Sequence, residues 1–300
     1  MSRSVNCFYA FGAGYGHITR TLAMIQYLRE EALLEGRVIL LTECLQPHKR
    51  NFVDRLELAE KQIEVIEANA ETYLQEKRFS EWLVQQLKLC HCTGLFLDVF
   101  PFGIKGELAT IYQALNNDIG LYLVARNLKW QEYIKMFPAE MPDIRFKSVY
   151  ALEELNSDLQ SWFDTHSEGV VKLELTYSDQ YPAEINPQKE NLNLPDQFRM
   201  VVHSGSEDEL EQLYLWTKEK QKDNLPIVVV SPFCPDYIAE CDMWLDYYPA
   251  NQIIPLATSV TSAAGFNIIH AMRHIKIDHW IMPFPRKFDD QFLRAKLARG

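Results

Sequence analysis

Asn6-Cys7-Phe8-Tyr9-Ala10-Phe11-Gly12-Ala13-Gly14-Tyr15-Gly16-His17-Ile18-Thr19-Arg20 is the stretch around which this chain of 300 residues is organised. The apolar run from Val5 to Phe11 suits a buried parallel strand. Gly12, Gly14 and Gly16 let the backbone turn sharply and approach a ligand. Ile18, Leu22, Ile25 and Leu28 then recur near a 3.6-residue spacing, which predicts a helix with one buried face. A strand, a glycine turn and a helix N-terminus together suit an anion or a polar substrate group. His17 stands at the mouth of that turn. Two familiar phosphate loops do not fit. A dinucleotide fingerprint would need glycine where His17 is, and no lysine follows at the P-loop position. The residues leave two readings open, a histidine that takes part in chemistry and a tight turn carrying a surface histidine.

Working outward, strands are expected at Arg37–Thr42, Ile63–Ile66, Leu95–Phe100 and Gly120–Ala125, with helical patterns over 51–60, 72–87 and from Gly106 to Leu115. Strands alternating with helices predict a doubly wound parallel α/β sheet. Asp98 interrupts a buried run, which is unfavourable by several kcal/mol unless the carboxylate is paired or at the strand's end. Ligands of open α/β sheets sit at the carboxyl ends of strands. Asp98 therefore reads either as a site carboxylate or as the anchor of the loop Pro101-Phe102-Gly103. Arg126, after the Gly120–Ala125 strand, reads as a binder of an anionic or hydroxyl-rich acceptor or as an ion-pair partner.

The net charge of −11 and the absence of a basic run argue against nucleic acid as a partner. They give no reason to expect adhesion to an anionic membrane, although peripheral contact stays open. No apolar run approaches the ~20 residues of a membrane helix. Met1-Ser2-Arg3-Ser4 leads straight into a strand, so a cytoplasmic chain is expected. The six cysteines sit among apolar neighbours, as reduced core cysteines do. Cys90-His91-Cys92 lacks the second ligand pair of a zinc site, and no metal is expected.

Ser178 to Gln197 holds three prolines among polar residues and reads as a linker. The domains expected are 1–185 and 186–300. A second α/β series follows: strands at 199–203 and 226–231, a short one at Tyr247–Ala250, a small helix from Asn251 to Ala257, a last strand at 278–283, and helices over 207–222, up to Arg273, and from Phe288.

Here a family resemblance becomes visible. Ser262-Ala263-Ala264-Gly265-Phe266-Asn267, a helix, Ile281-Met282-Pro283-Phe284-Pro285 and then Asp289-Asp290-Gln291 resemble the donor half of GT-B glycosyltransferases. The pattern is similar to that of the MurG-like family, glycosyltransferase family 28, and Gly12 to His17 resembles that family's glycine loop ending in Gly-His. The resemblance implies two Rossmann-like domains facing a cleft, with the acceptor on the first and a nucleotide-diphosphate sugar, a UDP-sugar foremost, on the second. It implies transfer to an acceptor hydroxyl without a metal or other cofactor. His17 would be the general base, and Asp98 is counted as a second catalytic residue. Gly14, Gly16, Ser204, Gly205, Ser262, Ala264, Gly265 and Asn267 would meet the donor, its diphosphate resting on backbone N–H groups. Asp290 and Gln291 would reach the sugar hydroxyls, and Arg126 would face the acceptor. The family places an acidic residue where His270 stands. His270 could hydrogen-bond a ribose or be an ordinary helix residue.

The same fold also serves sugar-nucleotide 2-epimerases. A degenerate, non-catalytic nucleotide-sugar binder is a third reading, favoured by His270 and by the absence, before Gly300, of the further helix many members carry. His203, Ser204 and Asp208 do not form a nucleophile elbow. Asp289 and Asp290 are adjacent and cannot flank a glycosidic bond, so Asp289 is expected to cap a helix.

Overall fold

The computed structural model describes residues 4–12, 15–43, 45–115, 119–137, 142–175 and 192–299. The chain divides into two compact units, Met1–Leu175 with Lys287–Asp289, and Thr176–Arg286 with Asp290–Gly300. The boundary expected between 185 and 186 lies outside the described residues.

Unit 1 holds a parallel sheet of seven strands: β1 (Val5–Ala10), β2 (Arg37–Thr42), β3 (Ile63–Glu67), β4 (Gly94–Asp98), β5 (Gly120–Ala125), β6 (Ser148–Ala151) and β7 (Val170–Lys172). Their spatial order is β3-β2-β1-β4-β5-β6-β7. Helices α1 (Gly16–Glu30), α2 (Pro47–Arg55), α3 (Ala70–Leu74), α4 (Glu76–Leu89), α5 (Ala109–Ala114), α6 (Trp130–Ile134) and α7 (Ser157–His166) connect them. Every residue of β1 is buried, so both faces of the sheet are covered. On one face Cys7, Tyr9 and Phe11 join a core with Leu95, Leu97 and Leu123. On the other, Phe8 stacks on Phe96 at 4.4 Å and Phe96 on Tyr122 at 4.3 Å. The buried Phe8 and Phe96 rings each contribute roughly 1.5–3 kcal/mol. The expected face of α1 is present, with Ile18, Leu22, Ile25 and Leu28 buried.

Unit 2 holds five parallel strands: β8 (Arg199–Val202), β9 (Ile227–Val230), β10 (Met243–Leu245), β11 (Ser259–Ala263) and β12 (Asp278–Met282). Their order is β10-β9-β8-β11-β12. Helices α8 (Glu207–Lys220), α9 (Phe266–Met272) and α10 (Gln291–Arg299) complete it. The valines of β9 alternate between two core clusters, Val228 and Val230 in one and Val229 in the other. Each sheet has its first strand flanked by its second and fourth. Each therefore has one point where the strand order reverses, β1 against β4 and β8 against β11.

Several elements differ from expectation. Helix α2 starts at Pro47, which is favoured at a first turn, and ends at Arg55. The pattern over 72–87 is broken at Gln75, whose extended backbone separates α3 from α4. The short strand is Met243–Leu245 and not Tyr247–Ala250, where Pro249 has no N–H to give a ladder. The segment from Asn251 to Ala257 forms two 3₁₀ turns, Ala250–Gln252 and Ile254–Leu256. Strands β6 and β7 and helices α6 and α7 fall in a region without a clear period. Asp289 is not a helix cap. Asp290 caps α10, its Oδ1 accepting from Leu293 N at 2.9 Å. Phe288 and Asp289 instead pair with Lys129 and Leu128 in unit 1.

Candidate functional site

The carboxyl ends of β1 and β4 flank the reversal point of the first sheet, the place where open α/β sheets take ligands. Gly12 follows β1, Gly16 and His17 open α1, and Asp98 is the last residue of β4. Gly14 lies outside the described residues. Nδ1 of His17 lies 2.5 Å from Oδ2 of Asp98. Arg20, one helical turn after His17, grips the same carboxylate at two points, Nε donating to Oδ1 at 2.7 Å and Nη2 to Oδ2 at 2.6 Å. The side chains of Arg20 and Asp98 are 3% and 2% exposed, and that of His17 is 17% exposed. The pair is therefore dry underneath and open only at the imidazole.

Protonation follows from these contacts. Burial alone would raise the Asp98 carboxyl, but Arg20 and His17 outweigh it and hold it down at about 2. Burial lowers the His17 imidazole below its ordinary 6.5; Asp98 opposes that shift, and Arg20 and Arg126 reinforce it. His17 is thus neutral at neutral pH. An ionised carboxylate only accepts, so the imidazole proton sits on Nδ1 and the lone pair on Nε2. Nη2 of Arg20 also lies 3.4 Å from Nδ1. Both are donors there, so that approach is repulsive and is one source of Arg20's effect.

The backbone around the pair is held tightly. Gly12 N donates to Glu43 Oε2 at 3.0 Å, and the buried Lys49 ammonium bridges Gly12 O and Glu43. A Cβ on Gly12 would stand 2.1 Å from Cδ2 and 2.4 Å from Nε2 of His17. Gly12→Ala is therefore expected to push the ring aside, destabilising the chain by about 1–3 kcal/mol and lowering any His17-dependent rate by about 10²-fold; a denaturation midpoint and a rate measurement check the two parts. Val99, directly after Asp98, has φ +70, and Phe100 N donates to Asp98 O at 2.9 Å. That is a γ-turn with a branched side chain at its strained centre, a geometry unfavourable by of order 1–3 kcal/mol that ends β4 abruptly at the carboxylate.

Asp98 does not anchor the loop after it. Glu107 does: it accepts from Ile104 N at 3.2 Å, Lys105 N at 2.9 Å and Tyr9 Oη at 2.7 Å. Tyr133 Oη donates to Gly103 O and accepts from Phe102 N, both at 2.9 Å. Arg126, buried beyond the end of β5, lies 3.4 Å from Asp289 Oδ1.

In unit 2, Ser204, Gly205 and the β11–α9 loop stand at the carboxyl ends of β8 and β11. A Cβ on Gly205 would meet His203 Nε2 at 2.5 Å. His203 Nε2 lies 3.0 Å from Glu209 Oε2, and Arg286 pairs with both Glu209 oxygens at 2.5 Å. Helix α8 is capped by Ser206 and starts Glu207-Asp208-Glu209. This end presents carboxylates where vacant N–H groups were expected, and it is poorly suited to a diphosphate. The β11–α9 loop differs. A Cβ on Gly265 would meet only Ile268 Cγ2, at 3.8 Å, and no acidic residue stands in the first turn of α9. Beneath the loop, Arg294 Nη1 donates to the carbonyl of the buried Ala264 at 3.0 Å. Asn267 is half-buried in that first turn. Ser262 is buried and hydrogen-bonded to His279 at 2.8 Å. His270 is 2% exposed and stacks on Phe266. Asp290 caps α10, and the buried Gln291 accepts from Phe284 N at 3.0 Å.

Arg20, Glu43 and Lys49 were not singled out from the sequence. Arg20 stands at i+3 from His17, the spacing that puts two side chains on one helix face. Glu43 and Lys49 carried no local signal. Among the described residues no group of three or more His, Cys, Asp or Glu could hold a metal ion, and no helix is long and apolar enough to cross a membrane.

No protein-family model matches the chain, and no curated protein does. Solved structures do. Medicago truncatula UGT71G1 complexed with UDP-glucose matches with a TM-score of 0.60 at 14% identity, over 97% of this chain and 82% of that one. A Listeria monocytogenes protein described as a UDP-N-acetylglucosamine 2-epimerase matches at 0.58 and 13%, over 90% and 76%. Acinetobacter baumannii MurG matches at 0.50 and 13%, over 98% and 82%. Other matches include the glycosyltransferases SsfS6 of Streptomyces sp. SF2575 and SnogD of Streptomyces nogalater. At these identities the shared property is the fold.

Proposed function

With the two-unit α/β fold of GT-B glycosyltransferases as premise, we propose that this chain transfers a sugar from a UDP-sugar to an acceptor hydroxyl, without a metal, in the manner of the MurG-like family. The observation that carries the reading is the His17–Asp98 pair at the reversal point of the first sheet. Nε2 of His17 takes the acceptor proton as the oxygen attacks the sugar's anomeric carbon, and the bond to the nucleotide diphosphate breaks. Asp98 steadies the imidazolium that forms. Arg126 faces the acceptor. Unit 2 holds the donor, with backbone N–H groups near Gly265 and Asn267 meeting the diphosphate and the second oxygen of Asp290 meeting the sugar. His270 and Ser262 are buried next to that loop, whereas Gln291 holds the backbone of Phe284. Gly205 and Ser204 contribute less than Gly265, because the His203 ring, and behind it Glu209, lies over Gly205.

UDP formation from UDP-sugars over a panel of hydroxyl acceptors tests the reading. Acceptor-dependent release supports it, and no release with any acceptor opposes it. The epimerase match motivates a parallel arm without acceptor, in which appearance of the 2-epimer favours isomerisation. Gly265→Asp probes the donor loop. Gly265 has the φ −66, ψ 147 of a helix cap, which aspartate adopts well. Thermal stability is expected to hold or rise, while the shift produced by UDP-sugar falls at least about tenfold in apparent affinity, because a carboxylate would face the diphosphate.

A further inference from the structure

Arg20 takes no part in the proposed transfer, yet it is buried and spends two of its nitrogens on Asp98. Burying a guanidinium beside a carboxylate seldom gains stability over apolar side chains of similar size. Packing alone does not account for it.

We propose that Arg20 is a positioning residue for the His17–Asp98 pair, locking the plane of the Asp98 carboxylate so that His17 is protonated only on Nδ1 and keeps Nε2 as its basic nitrogen. The inference rests on His17 being the base. With Nε on Oδ1 and Nη2 on Oδ2, the carboxylate cannot rotate, and Oδ2 stays 2.5 Å from Nδ1. His17 and Arg20 leave the same face of α1, so the helix itself fixes their separation. The charges facing His17 are Arg20 from its own helix, Asp98 from β4 and Arg126 from the end of β5, the last paired with Asp289. The Glu43–Lys49 pair holds Gly12 beneath the ring and is internally neutral. Arg20 acts twice, orienting Asp98 and opposing protonation of His17. The two effects are separable by substitution. Lysine keeps the charge but reaches one oxygen at a time, whereas methionine removes both.

The test is nitrogen NMR of the full chain carrying isotope-labelled histidine, titrated over about pH 5 to 9, for the wild type, Arg20→Met and Arg20→Lys. The wild type should show His17 as the Nδ1–H tautomer. Arg20→Met should move the His17 midpoint up by about one pH unit, since a cation facing the ring is lost. Arg20→Lys should leave the midpoint within about 0.3 unit but give a mixture of tautomers, since the planar fork is lost. A folded Arg20→Met chain with unchanged midpoint and tautomer overturns the proposal. If that variant does not fold, an unchanged single tautomer in Arg20→Lys overturns it. In transfer assays the same variants should lower kcat about 10- to 100-fold and leave KM for the UDP-sugar within about twofold. A His17 that responds to Arg20 in a chain that transfers nothing keeps the positioning and removes the transferase reading. A working transferase whose His17 ignores Arg20 does the reverse.

Discussion

His17→Ala lowers acceptor-dependent UDP release by about 10²–10⁴-fold and leaves the affinity for UDP-sugar within about twofold, the range expected for loss of a general base. Both halves follow from where the residue stands. The imidazole is the exposed member of a buried trio, and its Nε2 makes no hydrogen bond among the described residues. Alanine removes a proton acceptor and fills no space that a donor would use. Its structural effect is the loss of the hydrogen bond to Asp98, which keeps its two bonds from Arg20. Initial rates and calorimetric affinities on the same preparation separate the two halves. A loss of affinity without a loss of turnover would place His17 on the donor and not on the proton.

Asp98→Asn is the substitution with the largest expected effect on stability, about 3–5 kcal/mol, because it leaves the Arg20 guanidinium buried without a counter-charge. The amide keeps the shape of the carboxylate but turns an NH₂ toward a donor on one side. Urea midpoints for wild type and variant measure it. The pH dependence has a definite sign. The Asp98 carboxyl is held at about 2 against an ordinary 3.8, so its stabilisation is complete above 3.8 and is lost as pH falls toward 2. The amount is on the order of 2 kcal/mol, since one pH unit is worth about 1.4 kcal/mol. His17 adds an earlier step. Its pKa is lowered on folding, so the unfolded chain binds the extra proton first, and stability begins to fall as pH drops through 6.5. In Asp98→Asn the low-pH step attributable to this carboxylate disappears.

The first strand, turn and helix were legible because an apolar run, a cluster of glycines and a 3.6-residue period met within one short segment. Asp98 was legible as an interruption of such a run, but its depth was not, since β4 ends two residues earlier than hydrophobicity alone would have it. The γ-turn at Val99 carries no sequence signature, and a branched residue at positive φ is against expectation. β6 and β7 have four and three residues, too few for a period to form. That the cap falls on Asp290 and not on Asp289 turns on a single position. There the chain pairs with Leu128 and Lys129, a long-range contact that local patterning does not encode. In unit 2 the glycine loops looked equivalent. What separates them is His203, held by Glu209, whose ring occupies the space over Gly205, whereas only Ile268 comes near the space over Gly265. His270 was legible only as a departure from a family pattern. Its burial against Phe266 answers the packing question that a motif does not pose.

Calorimetric titration of the full chain with UDP-glucose and UDP-N-acetylglucosamine is the most direct measurement. A saturable heat with at least one of them, retained in His17→Ala and lost in Gly265→Asp, is the predicted result. No heat with either sugar nucleotide at millimolar concentration, or binding that survives Gly265→Asp intact, would contradict it.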